Sequence, residues 1–117
     1  MDVPLEIRFH HVSSSEATES LIRELVDKLA RLHDRLIGVR VAVELQHHKH
    51  RTGNVCDVHI EMSLPGRDLV VSREPHGAND KYARPTLETS LRDAFRAAER
   101  QLKEHKLRER EDSARTA

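Results

Sequence analysis

Cys56, Val58, Ile60, Met62 and Leu64 are apolar at every second position, and the run stops at Pro65-Gly66. A period of two puts these side chains on one face of an extended chain, and Pro-Gly is a dipeptide that turns a chain back sharply. A hairpin with one dry face is therefore the constraint that any fold of this chain must satisfy. The returning strand is expected over 68–73, with Val70 and Val71 on opposite faces. Two more stretches share the alternation: Leu5, Ile7 and Phe9 between Glu6, Arg8 and His10, and Val39, Val41, Val43 and Leu45 between Arg40, Ala42 and Glu44. Four strands with one buried face need a second layer to cover them.

Two segments with helical periodicity can supply that layer. Leu21, Leu25, Leu29, Leu32 and Leu36 recur at spacings of four and three, which places them on one stripe at about 100° per residue. Ser13 and Glu16 fit a capping box ahead of this stripe, and Gly38 can end the helix after Leu36. In the second segment Thr86 can cap, and Leu87, Leu91, Ala94, Phe95, Ala98 and Leu102 form the apolar stripe. The stretch 74–85 carries Pro75, Gly77, Asn79, Asp80 and Pro85, which suits a long mobile loop. Past Leu107 there is little to bury, so 108–117 is expected to be a disordered charged tail. The fold expected is an α+β two-layer sandwich of order β-α-β-β-β-α, with a four-stranded sheet, two helices on one face and the other face wet. One domain over 1–107 holds it all, because 117 residues leave no room for a second core.

Composition narrows the function. Phe9, Tyr82 and Phe95 are the only aromatics, so the core must be aliphatic. The single cysteine, Cys56, cannot close an internal disulfide or build a cysteine-rich zinc module, and its place on a strand beside Asp57 suits a small core residue better than a nucleophile. No apolar run approaches the ~20 residues of a membrane span, and Met1-Asp2-Val3-Pro4 does not read as the start of a secretory signal, so a soluble, cytoplasmic chain is expected. Glycine-rich phosphate loops, GxSxG elbows and HExxH pairs are absent from the sequence, and no enzyme and no cofactor is expected. With 20 Lys+Arg against 20 Asp+Glu the formal net charge is zero, so any electrostatic partner must be met by the distribution of charge.

That distribution is uneven on the last helix. Arg92, Arg96, Arg100, Lys103, Lys106 and Arg110 fall within about 120° of one another, away from the apolar stripe. Such a ridge can be a solvated face laced with ion pairs to Glu88, Glu99 and Glu104, or a surface for phosphates. Lys28, Arg31 and Arg35 gather on one shoulder of the first helix; if the helices lie side by side, the two basic shoulders could join into one channel. Between the second and third strands, His47, His48, Lys49, His50 and Arg51 make a polar loop that gains charge in mild acid. His48 and His50 with His59 could hold a metal, but no carboxylate or cysteine is fixed beside them, and an RNA-facing or neutral loop fits better; no metal site is assigned.

The element order, together with Lys28-Leu29-Ala30-Arg31-Leu32, Val39-Arg40-Val41-Ala42-Val43-Glu44, Arg100-Gln101-Leu102-Lys103-Glu104-His105-Lys106, the histidine loop and Leu64-Pro65-Gly66 followed by Arg73-Glu74-Pro75, resembles the ribosome hibernation-promoting factor family, also called ribosome-associated inhibitor A, protein Y or sigma-54 modulation protein/S30EA. The resemblance spans about residues 4 to 107 and is nearest to a short form with a His-rich loop. It implies a bacterial, stress-linked translation regulator that lodges on the small ribosomal subunit in the mRNA and tRNA channel during growth arrest. It also implies rRNA contacts by Lys28, Arg31, Arg100, Lys103 and Lys106; Arg35, Arg92 and Arg96 join them from the basic shoulders, and His48, Lys49 and His50 from the loop. Thr86-Leu87-Glu88 replaces the family's Asp-x-Tyr, and Ala97 and Glu104 stand where many members carry lysine. The long-form dimerising domain is absent from this sequence, and a monomer is expected on the ribosome. The element order also resembles the double-stranded RNA-binding domain, so a free RNA chaperone is one rival; a regulatory module that binds a protein such as a sigma factor is another.

If the histidine loop faces RNA, lowering the pH from about 7.5 to 6 should tighten ribosome binding by the wild-type chain more than by a His47/His48/His50 triple alanine variant, since each protonated imidazole near phosphates favours the complex. Equal affinities of the two at both pH values would make the loop neutral surface.

Overall fold

The computed structural model describes residues 3–46, 55–73 and 86–116. Its elements are β1 (Leu5–His10), α1 (Glu16–Leu32), β2 (Gly38–Gln46), β3 (Val55–Leu64), β4 (Arg67–Arg73) and α2 (Leu87–Thr116). The strands form one sheet in the order β1-β2-β3-β4. β1 pairs parallel with β2 through the α1 crossover, and β2, β3 and β4 pair antiparallel.

The register turns sequence alternation into a dry face. Ile7 stands opposite Val41, Val41 opposite Ile60, and Ile60 opposite Val71, while Leu5, Val39, Met62 and Leu69 make the neighbouring row. The inner positions of these rows are buried, as are Ile22, Leu25, Val26 and Leu29 of α1 and Leu91, Ala94, Phe95, Ala98 and Leu102 of α2, which pack on them. Phe95 is only 1% exposed. The opposite face carries Arg40, Glu44, Asp68 and Ser72, all exposed, and Val70 at 57% exposure against 3% for Val71 divides the two valines of β4 between the faces as expected. The hairpin also forms as expected: Leu64 pairs with Arg67 across Pro65-Gly66, and Gly66 has φ +75°, the value that the third residue of a type II turn requires.

Three boundaries differ from the sequence reading. The cap of α1 is Ser15, not Ser13: Ser15 Oγ accepts the Thr18 N–H at 3.1 Å, which leaves Glu16 and Glu19 in the first turn, where the helix dipole favours them. The helix stops at Leu32 rather than Leu36. His33 is extended at φ −144°, and its Nδ1 accepts the Arg35 N–H at 3.1 Å. The reason is the sheet: Ile37 N–H donates to Ser63 and Val39 N–H to Pro4, so the chain needs 33–36 to travel from the helix layer to its strand. Leu36 is still buried, but from a turn. The third difference is the C-terminus, where the expected tail from 108 is helical through Thr116. Arg108, Glu109, Arg110 and Glu111 are good helix formers, and Glu109 is held by His105 at 2.8 Å. At Thr86 the expected cap is present, its Oγ1 accepting the Thr89 N–H at 3.1 Å. Cys56 lies on β3 opposite Leu45, but its side chain falls outside the described residues, as do the 47–54 and 74–85 connectors.

Gly66→Ala should cost about 1–2 kcal/mol, because no atom lies within 4 Å of the added Cβ and the left-handed backbone alone is penalised. Phe95→Ala should cost about 3–5 kcal/mol by opening a cavity between α2 and the sheet. Urea midpoints measure both; a neutral Phe95→Ala would contradict the packing described.

Candidate nucleic-acid interface

On α2 the core residues and five of the cations, Arg92, Arg96, Arg100, Lys103 and Arg110, take separate sectors of the helix, so burying the core set exposes these. Arg92, Arg96, Arg100, Lys103 and Arg110 are exposed. Arg92 is paired with Glu88 one turn back at 3.1 Å, a solvent-screened contact that another anion can displace at little cost. Arg96, Arg100 and Lys103 make no ion pair among the described residues, and this separates the ridge from an ordinary salt-bridged helix face. At 1.5 Å rise per residue, Arg92, Arg96 and Arg100 step along the helix about 6 Å apart. Ala97 is buried and Glu104 exposed, so of the two family lysine positions only the second is on the surface.

α1 adds Lys28 and Arg31, both exposed, with Arg31 in the last turn where the dipole favours a cation. Arg35 does not share their helix face, because α1 ends before it; it is exposed on the turn that follows. Lys106 also differs from the ridge expectation. It is half-buried, and its ammonium donates to the Leu32 carbonyl at 3.1 Å, tying the end of α1 to α2. His48, Lys49 and His50 lie outside the described residues.

The open face of the sheet offers a contrast. A hollow of about 240 Å³ is lined there by Glu6, Arg8, Arg40, Ala42, His59 and Val70. Glu6 accepts from Arg8 Nε at 2.9 Å and lies 3.4 Å from Arg40 Nε, so the cations on this face are already partly neutralised, and His59 shares a hydrogen bond with Ser72 at 2.8 Å. Among the described residues, the row of cations without ion pairs, Arg96, Arg100 and Lys103, lies on the helix layer. Sequence reading missed one cluster, His33, His105 and Glu109, which the end of α1 and one turn of α2 bring together. The i, i+4 spacing of His105 and Glu109 was the only available signal.

A family model described as Sigma 54 modulation protein / S30EA ribosomal protein matches residues 5–110, almost the whole described chain. The chain belongs to this family. The fold agrees. The N-terminal domain of Protein Y from Thermus thermophilus superposes with a TM-score of 0.67 at 19% identity, covering 90% of this chain and 99% of that one. A ribosomal subunit interface protein from Coxiella burnetii gives 0.63 at 15% identity with the same coverages. No curated protein matches the chain by sequence. Among the described residues of this S30EA-family chain, no helix is long and apolar enough to cross a membrane.

The two kinds of cation on α2 should separate in stability measurements. Lys106→Ala should lower stability by about 1–2 kcal/mol, because it removes a charge-assisted bond between helices, whereas Arg100→Ala should stay within about 0.5 kcal/mol. Equal denaturant midpoints for the two variants would remove the tie assigned to Lys106.

Proposed function

We propose that this chain is a ribosome hibernation factor that binds small-subunit rRNA through its helix layer and blocks the mRNA and tRNA channel when growth stops. The observation that carries the reading is the run of exposed cations Arg96, Arg100 and Lys103, without ion pairs among the described residues, in a chain whose formal net charge is zero. Cations left unpaired in so balanced a composition form a surface suited to an external polyanion. Arg92 extends the row, and Lys28 and Arg31 supply the second shoulder.

Family membership supports a ribosomal partner, and the Coxiella burnetii relative is described as a subunit interface protein. Phosphates repeat along an rRNA strand, so a helix that presents a guanidinium at each turn can meet several at once and displace their counterions. This function requires occupancy and no bond-making, so the ridge needs no nucleophile or general base. Lys106 acts here through position, by holding α1 against α2 so that the two sets of cations keep a fixed relation.

Arg96→Glu with Arg100→Glu should abolish co-sedimentation with small subunits while the melting curve stays close to wild type, because both side chains are exposed. About four phosphate contacts predict that log affinity falls with log salt at a slope of roughly 3 to 4. Wild-type affinity in the double variant would sink the ridge assignment. Binding that ignores salt would instead favour a protein partner, such as the sigma factor in the family's description.

A further inference from the structure

His33, His105 and Glu109 meet where the end of α1 touches α2. One helical turn separates His105 from Glu109, which puts them on the same face, and the early end of α1 at Leu32 delivers His33 to them from the other helix. His105 Nε2 is 2.8 Å from Glu109 Oε1, and His33 Nε2 is 3.3 Å from Oε2. The two rings are stacked, with centroids 6.0 Å apart. One ligand atom from each residue falls within 4.8 Å of the others. A tetrahedral ion with ligands at about 2.0–2.1 Å holds its donors about 3.3 Å apart, so small side-chain shifts would close the set around one.

A second observation points the same way. His33 is 2% exposed, and its Nε2 makes no hydrogen bond, since Glu109 is near enough for an ion pair but poorly aligned. A buried polar atom left in that state calls for an explanation. We propose that His33 Nε2, His105 Nε2 and the Glu109 carboxylate form a binding site for a divalent first-row transition metal, best matched by Zn²⁺, that clamps the end of α1 to α2.

Two imidazoles and one carboxylate form a donor set suited to zinc, with a fourth position open to water. His33 Nδ1 accepts the Arg35 N–H, so in the neutral ring the proton sits on Nε2. For Nε2 to give its lone pair to a metal, that proton must move to Nδ1, and the Arg35 N–H must turn to water. The exposed turn at Asp34 and Arg35 permits this. Lys106, next to His105, is a cation that opposes a dication, and its ammonium is already engaged by the Leu32 carbonyl; Arg35, Arg108 and Arg110, near His33 and Glu109 in the chain, are exposed and screened by solvent. The clamp would act on the same joint as that lysine. It rests on the helix–helix geometry and is independent of the ribosome reading.

The experiment uses the full chain, stripped by chelator, in a His47/His48/His50 triple alanine background so that the loop cannot contribute ligands. Zn²⁺ titration by calorimetry should give one equivalent bound and a rise in Tm. Co²⁺ should give the visible absorption of a tetrahedral site, and the Arg35 amide resonance should shift on metal addition. Glu109→Gln and, separately, His105→Gln should each weaken Zn²⁺ by more than about tenfold, the least that loss even of a supporting outer-shell partner typically costs. Metal-free melting curves check that each variant folds. If the loop variant binds no Zn²⁺, or binds it equally with Glu109 and His105 replaced, the proposal is overturned and ribosome binding is untouched.

Discussion

Sliding β3 by one residue against β2 would turn Val58, Ile60 and Met62 away from Val43, Val41 and Val39 and bring Asp57, His59 and Glu61 onto the helix side. β2 is an inner strand, paired with β1 on one side and β3 on the other, and its Val39, Val41 and Val43 lie in the core at almost zero exposure. The Pro65-Gly66 turn then carries the register from β3 to β4, since a two-residue connection leaves β4 no room to slip. With so few aromatics, the core depends on matching β-branched and leucine side chains across these rows, and a misregister could not be rescued by one large ring.

The same register divides the surface into two electrostatic regions. On the sheet side, cross-strand neighbours such as Glu6 and Arg40 stand close enough to neutralise one another. On the helix side, positions on α2 that cannot be buried without losing Phe95 and Leu102 are taken by Arg96, Arg100 and Lys103. A chain of zero net charge thus carries local unpaired positive charge, and the partition comes from the fold rather than from composition.

The helix layer has a joint at the end of α1. Lys106 crosses to the Leu32 carbonyl, Glu109 meets His33 and His105, and both contacts depend on α1 stopping at Leu32. A helix continued to Leu36 would carry its last carbonyls and His33 elsewhere. The shape of the proposed rRNA surface and of the proposed metal site is therefore set by a helix terminus, the feature least visible in hydrophobic periodicity.

Element types were legible because each is written in a local period: two for Val39–Val43 and Val58–Leu64, near 3.6 for Leu21–Leu29 and Leu91–Leu102, although the structure buries Ile22 and Val26 and leaves Leu21 half-buried. The ridge was legible for the same reason, since Arg96, Arg100 and Lys103 share one helix and their angular relation needs no tertiary information. Where α1 ends was not, because Leu32 and Leu36 continue the stripe, while the decision was made by Ser63 and Pro4, distant residues whose carbonyls take the N–H groups of Ile37 and Val39. The role of Lys106 was hidden in the same way: its place on the ridge is local, but the carbonyl it meets lies 74 residues back. His33 sits at the edge of one helix and Glu109 near the end of another, so no spacing rule connects them. Sequence determined which residues share a face, a property of one backbone segment; tertiary structure alone decided which faces meet, because that depends on where hydrogen-bonding partners far apart in the chain compete for the same few backbone groups.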